Sequence, residues 1–176
     1  MVSAARLTAI ALASLVSACA STSDRPTPSA PPPVGSARFS AAEFAWSQRP
    51  GGNIIAGHVA YRQSAMRYTC AGSTVVLTPE TAWSRLRMQA LYGSADRAAL
   101  PADEVRARTP SAPPGDAGPF VRRTTCDEAN QFAFGGLADG AWFAITIARP
   151  AGGAGGGMAL MRRVVVQGGR MVPVAL

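Results

Sequence analysis

Residues Thr124-Thr-Cys-Asp-Glu-Ala-Asn-Gln-Phe-Ala-Phe-Gly-Gly-Leu-Ala-Asp-Gly-Ala-Trp-Phe-Ala-Ile145 indicate two β-strands joined by tight turns. Phe132 and Phe134 are two positions apart, so both side chains point to one face of a strand. Asp127 can accept a hydrogen bond from the backbone of its own turn. Gly140 can adopt the positive φ needed before the next strand. The stretch therefore predicts a β-hairpin at the centre of a β-sheet domain.

This hairpin resembles the signature of carboxypeptidase regulatory-like domains. That family has Thr, then Asp, a small residue and Gly, then Phe-x-Phe, Leu-Pro-x-Gly and an aromatic residue that leads into a strand. The residues that match this pattern are Thr125, Asp127, Phe132, Phe134, Leu137, Gly140 and Trp142. Asn130 replaces the turn glycine, Ala138 replaces the proline, and Cys126 is an addition. The resemblance implies an all-β, transthyretin-like Greek-key sandwich of seven or eight strands, with a non-catalytic structural or binding role.

Short apolar segments separated by Gly- and Asn-rich turns continue on both sides of the hairpin, as is typical of a β-sandwich. The predicted strands are 54–61, 66–69, 73–78, 120–125, 131–134, 141–148, 158–166 and 171–175. Internal repetition is absent from the sequence, so a propeller or solenoid is not supported.

One short helix is predicted between Thr78 and Gly93. Thr78 can cap its start, Pro79 suits the first helical position, and Gly93 can end it. Residues 93–119 are rich in Ala, Pro, Asp and Arg and predict a long surface excursion. At residues 40–46, a capping-box spacing favours a helical turn, while the alternation of Phe44 and Trp46 favours a strand.

The N-terminus is typical of an export signal. Arg6 precedes a short apolar run, and the ending Val16-Ser17-Ala18-Cys19 resembles the lipobox of bacterial lipoproteins. The resemblance implies cleavage after residue 18 and acylation of Cys19 with chains such as palmitate. Ala20, where an inner-membrane lipoprotein tends to have Asp, favours the outer membrane. The alternative is an ordinary signal peptide in which Cys19 has no role.

Pro, Ser and Thr dominate residues 20–37, which can form no core and favour an extended tether. The expected organisation is a signal peptide over 1–18, the lipidated cysteine and tether over 19–38, and the sandwich domain over 39–176. The protein is thus expected at the bacterial cell envelope, attached to the membrane through Cys19 and facing the periplasm.

The composition excludes several classes of function. The chain has 176 residues, one His and three Cys, and all 17 of its Lys+Arg residues are Arg. Most metal sites draw several ligands from His and Cys, so no metal or cofactor is expected. No apolar run approaches the roughly 20 residues of a transmembrane helix. The formal net charge of +7 fits an anionic envelope polymer or an envelope protein as partner better than nucleic acid, which an exported protein rarely meets.

Cys70 and Cys126 form an even pair in an oxidising compartment, which predicts a disulfide. Closing the long loop between them would stabilise the fold by about 4 kcal/mol. The alternative, a reactive thiol, lacks support because neither residue lies in a Cys-x-x-Cys motif.

No catalytic set is evident. His58, the single imidazole, is expected to be a half-buried strand residue, and the carboxylates are scattered. The pairs Arg122-Arg123 and Arg162-Arg163 form the candidate ligand patch, although neighbours in a strand face opposite ways. Charges of this kind also discourage pairing between sheet edges.

These observations predict a lipid-anchored envelope lipoprotein that acts as a structural or binding module and is not an enzyme. The alternatives are a cell-envelope hydrolase with its site on residues 93–119, and a periplasmic ligand carrier.

Overall fold

Two β-sheets form the body of the protein in the computed structural model, which describes residues 38–176. The strands are β1 (Asn53–His58), β2 (Arg62–Gln63), β3 (Met66–Thr69), β4 (Thr74–Pro79), β5 (Arg97–Pro101), β6 (Arg122–Thr125), β7 (Gln131–Leu137), β8 (Gly140–Pro150), β9 (Met158–Val166) and β10 (Met171–Ala175). The helices are α1 (Ala82–Tyr92) and α2 (Ala102–Arg108), with 3-10 helices at Ala41–Gln48, Thr109–Ser111 and Gly118–Phe120.

The larger sheet is built around β8, which pairs with β9 on one side and with β4 on the other. β5 extends the sheet beyond β9, and β6 extends it beyond β4. β3, with β2 beside it, pairs with the C-terminal end of β8. In the smaller sheet, β1 lies between a parallel β10 and an antiparallel β7.

Both faces of β8 are covered in its N-terminal half, whereas its C-terminal half exposes one face. Trp142 and Ala144 belong to the core between the two sheets, whereas Phe143 belongs to a second core with Met88 and Leu91 of α1. Trp142 and Phe143 are both fully buried. The larger sheet is therefore a middle layer, with the smaller sheet on one face and α1 and α2 on the other.

Both strands of the predicted hairpin are present, as β7 and β8, but they do not pair, so the hairpin prediction is wrong. β7 belongs to the smaller sheet and β8 to the larger one, and residues 138–139 carry the chain from one sheet to the other. Phe132 and Phe134 are both buried and point into the core between the sheets. Gly57 of β1 lies opposite Phe132, and a Cβ atom at Gly57 would lie 2.1 Å from the Cζ atom of that ring. The aromatic side chain thus occupies the space that a larger residue at position 57 would need.

A disulfide joins Cys70 to Cys126, as the sequence predicts, with the Cα atoms 5.7 Å apart. The adjacent turn is held by Asn130, which adopts a positive φ of 64°. Its Oδ1 atom accepts hydrogen bonds from the Thr69 hydroxyl, at 2.6 Å, and from the Cys70 amide, at 2.9 Å. Asn130 suits this turn because its backbone tolerates the left-handed conformation and its side chain fixes the turn to β3.

The predicted sandwich is confirmed, but several elements differ from expectation. The strand predicted over 54–61 ends at His58, and the strand predicted over 120–125 begins at Arg122. Thr78 and Pro79 end β4, and α1 begins later, where Thr81 and Ser84 form a capping box. The range 93–119, predicted to be an excursion, contains β5 and α2. The described residues consequently hold ten strands rather than seven or eight, and two α-helices rather than one.

The segment before β1 is helical, which resolves the alternatives at residues 40–46. It forms a 3-10 helix, and Ser40 makes no capping hydrogen bond with its side chain. Phe44 packs near the ring of Trp83 at 6.0 Å, and Trp46 packs near Trp142 at 5.0 Å between ring centroids. Cys19 and the tether lie outside the described residues. Within residues 38–176, no helix is long and apolar enough to cross a membrane.

Substituting Gly57→Ala is expected to lower the free energy of unfolding by about 1–3 kcal/mol, because the new methyl group overlaps the Phe132 ring. The measurement is urea denaturation followed by tryptophan fluorescence. Gly152→Ala is the matched control, since nothing lies within 4 Å of a Cβ atom there. Equal stability of both variants would contradict the described packing of β1 on β7.

The free energy of unfolding is also expected to fall at alkaline pH, because the buried phenol of Tyr92 must then ionise. Burial raises the pKa of its phenol from 10.0 to about 12, because ionisation is costly in the core. The folded state therefore favours the neutral phenol, and its contribution is complete below pH 10 and is lost as the pH rises towards 12. Tyr92→Phe should reduce this loss by at most about 2–3 kcal/mol. Denaturant titrations at several pH values measure it, and lysine does not interfere because the chain contains none. An unchanged slope in the variant would contradict the expectation.

Candidate functional site

An open groove of about 520 Å³ lies where β5 meets β9. Its lining residues are all polar or charged: Ser94, Asp96, Arg97, Arg162 and Arg163. The volume is within the range of roughly 300–1,000 Å³ that small-molecule sites have. The groove lies at a sheet edge, where solutes can reach it directly.

The turn between α1 and β5 forms one side of the groove. Gly93 ends α1 in the left-handed conformation, with a φ of 70°. The hydroxyl oxygen of Ser94 then accepts hydrogen bonds from the amides of Asp96 and Arg97, at 3.1 and 3.2 Å. The Asp96 carbonyl accepts a hydrogen bond from the Arg163 amide at 2.7 Å, which joins the turn to β9.

A charge cluster of Glu80, Arg85 and Arg163 holds the Arg163 side chain at the groove. Its Nε and Nη2 atoms each lie 2.7 Å from Oε2 of Glu80. The other oxygen of Glu80 lies 2.5 Å from Nη1 of Arg85. The hydrogen bond that Arg163 donates to Glu80, together with the negative charge of that carboxylate, raises the pKa of Arg163 despite the opposing effect of burial. Because Glu80 lies between two arginines, Arg163 is held in place and its charge is partly neutralised.

Arg97 and Arg162 face each other across the β5–β9 pair. Nη1 of Arg162 donates a hydrogen bond to the Ala175 carbonyl at 3.0 Å, and Arg97 is exposed. Among the carboxylates of residues 38–176, none lies within 4.0 Å of either guanidinium. Like charges opposite each other in a sheet destabilise it. Arg97 and Arg162 thus place two positive charges side by side at the groove, and their repulsion lowers the stability of the fold.

The four arginines predicted as a ligand patch do not form one surface. Arg162 and Arg163 reach the groove from opposite faces of β9. Arg122 and Arg123 lie on β6, at the other edge of the sheet. Nη1 of Arg122 donates to the Gly135 carbonyl at 3.0 Å, and its guanidinium lies 5.9 Å from the centre of the Trp142 ring. Arg122 therefore links β6 to β7, and Arg123 is exposed to solvent.

His58 is exposed, which corrects the expectation of a half-buried residue. The burial of β1 alternates along its length, and His58 is its last residue, so the side chain points away from the core. In the part of the chain that the structure describes, no three His, Cys, Asp or Glu side chains are grouped so that they could hold a metal ion.

Sequence reasoning missed Glu80, Ser94, Asp96 and Arg97. Ser94, Asp96 and Arg97 lie within residues 93–119, which were predicted to form a surface excursion, and Glu80 lies within the range predicted to form the short helix. The sequence pattern around these residues indicates a strand only weakly. In Arg97-Ala-Ala-Leu-Pro101 only one large apolar residue marks a strand, and the pairing with β9 connects residues between 57 and 65 positions apart.

No protein-family model matches the chain, and no curated protein sequence does. In fold, the chain is similar to the crystal structure of a "putative carbohydrate binding protein" from Pseudomonas aeruginosa, with a TM-score of 0.52 and 19% sequence identity. The match covers 78% of this chain and 97% of that one. At this identity the likeness shows a shared fold and does not extend to particular residues.

Replacing Glu80→Ala is expected to lower the free energy of unfolding by about 1–3 kcal/mol, because it leaves the partly buried Arg163 without its carboxylate. Thermal and urea denaturation measure the change. Asp103→Ala is the matched control, since its ion pair with Arg106 is largely exposed and should contribute little. If the control lost as much stability as Glu80→Ala, the charge cluster would have no special role.

Proposed function

We propose that this protein is an outer-membrane lipoprotein whose sandwich domain binds carbohydrate in the groove between β5 and β9, without catalysing a reaction. The groove carries the proposal, since it is open and is lined only by side chains that donate or accept hydrogen bonds. The shared fold with a protein described as carbohydrate-binding supports it.

The chemistry of the lining favours binding over catalysis. Three of its five residues are arginines, whose guanidinium groups stay charged and do not exchange protons near neutral pH. Such groups hold an oxygen-rich ligand by charge and by several N–H donors with fixed geometry. They are poor general acids or bases, because that role requires a pKa near the working pH.

Anchoring rests on the sequence of the N-terminus. The ending Val16-Ser17-Ala18-Cys19 supports acylation of Cys19, and several acyl chains on one residue give stable attachment. The tether over residues 20–37 could span roughly 50 Å when extended at about 3.1 Å per residue. The groove could then reach glycans some distance from the membrane.

The test expresses the full-length protein and its variants in a Gram-negative host fed labelled palmitate and extracts them with detergent. Acylation and glycan binding are then measured on the same preparation of each protein. We expect label on the wild-type protein and on Cys70→Ser, which keeps Cys19, and none on Cys19→Ser. We also expect the extracted protein to bind at least one member of a panel of neutral and acidic envelope glycans, with no release of shorter sugars.

Two results would contradict the proposal separately. Label on Cys19→Ser, or none on the wild-type protein, would refute the anchor. Failure to bind any glycan of the panel, or release of sugar products, would refute the non-catalytic binding module.

A further inference from the structure

We infer that the groove is selective for an acidic glycan, with Arg97 and Arg162 holding the anionic group and Asp96 and Ser94 holding neighbouring hydroxyls. This inference rests on the proposed function, because it assigns a ligand class to the same groove.

The charge balance of the lining gives the first argument. Glu80 compensates Arg163, and an oxygen of the Asp96 carboxylate lies 3.8 Å from Nη2 of Arg85. Arg97 and Arg162 are opposite each other and lack such a partner among the described residues. An anion bound between them would relieve their repulsion and gain charge-assisted hydrogen bonds. The groove is therefore more favourable for a negative ligand than for a neutral one.

The hydrogen-bonding capacity of the lining gives the second argument. The hydroxyl oxygen of Ser94 already accepts two backbone amides, so its O–H is left to donate. Arg162 uses one N–H on the Ala175 carbonyl, which orients the guanidinium and leaves its other donors available. The lining is thus rich in donors, and the ligand group that matches it is an acceptor with several oxygens, such as a carboxylate, sulfate or phosphate.

Asp96 makes a sugar a better match than a simple anion. Its carboxylate is 73% exposed and is an acceptor beside the donor groups. A hydroxyl next to the acidic group of a sugar can donate to it, whereas a lone anion would be repelled. None of the five lining residues is aromatic. Stacking on a sugar ring therefore contributes little here, and charge and hydrogen bonds must supply the affinity.

The experiment measures binding of the full-length, detergent-solubilised protein to four polymers. Polygalacturonate carries carboxylates on sugars, dextran sulfate carries sulfates on sugars, dextran is neutral, and polyglutamate carries carboxylates without sugars. We expect binding to one or both acidic glycans, weakened by salt, and at least about tenfold weaker binding to dextran and polyglutamate. Which acidic glycan binds better identifies the anionic group.

Variants locate the site. Arg97→Ala and Arg162→Ala should each weaken binding of the acidic glycan by about tenfold. Arg123→Ala is the matched control, because Arg123 is an exposed arginine on the opposite edge strand of the same sheet and its loss changes the net charge equally. It should change the affinity by less than about twofold. Arg97 is exposed and Arg97→Ala should fold normally, so it keeps the test valid if Arg162→Ala is unstable.

Four outcomes overturn the inference. Equal losses in Arg97→Ala and Arg123→Ala would mean that net charge, not the groove, attracts the polymer. Equal binding of polyglutamate would mean that the sugar has no part. Binding of phosphatidylglycerol vesicles by way of Arg97, without glycan binding, would assign the groove to a lipid headgroup. Binding of dextran that survives Arg97→Ala would refute acidic selectivity while leaving a carbohydrate-binding function in place.

Discussion

The burial of both faces of β8 in its N-terminal half is the constraint on which the rest of the structure depends. Trp142 and Phe143 are adjacent, and because side chains alternate along a strand they enter different cores. A strand of this kind needs an apolar layer on each side. The smaller sheet covers one face and α1 and α2 cover the other, so the groove at the end of α1 exists because the second face of β8 must be covered.

The position of the charge cluster also follows from β8. Arg163 lies opposite Phe143 in the β8–β9 pair, and the Glu80 amide donates to the Ala141 carbonyl at 2.8 Å. Two residues of β8, Ala141 and Phe143, thus fix the backbone positions of both members of the ion pair. Because the backbone pairing holds Glu80 and Arg163 in place, the ion pair has to order only their side chains, which favours a well-defined groove wall.

Local patterns predicted most strands but only part of the site. β9 and β10 have the predicted bounds, because turn residues flank both. α1 begins later than predicted because pairing carries β4 on to Pro79, opposite Trp142, and the Thr81–Ser84 capping box then starts the helix. The apolar run 141–145 at the start of β8 indicates a strand that is covered on both faces, since an antiparallel strand with one solvent-exposed face would alternate. Arg162 and Arg163 were identified, but Arg97 and Ser94 join them only through a long-range strand pair, which sequence spacing does not reveal.

Arg97 on the edge strand β5 can serve two purposes, and its surroundings distinguish them. A charge on an edge strand prevents pairing with another sheet, and Arg97 alone would be enough for that. Protection of the edge needs no second arginine on β9, and that arrangement costs stability through repulsion. Protection of the edge also does not require the hydrogen bond from the Arg162 guanidinium to the Ala175 carbonyl, which orients that side chain. The opposed pair is explained when both guanidiniums hold one anionic group, so the same arginine can protect the edge in the free protein and bind ligand in the complex.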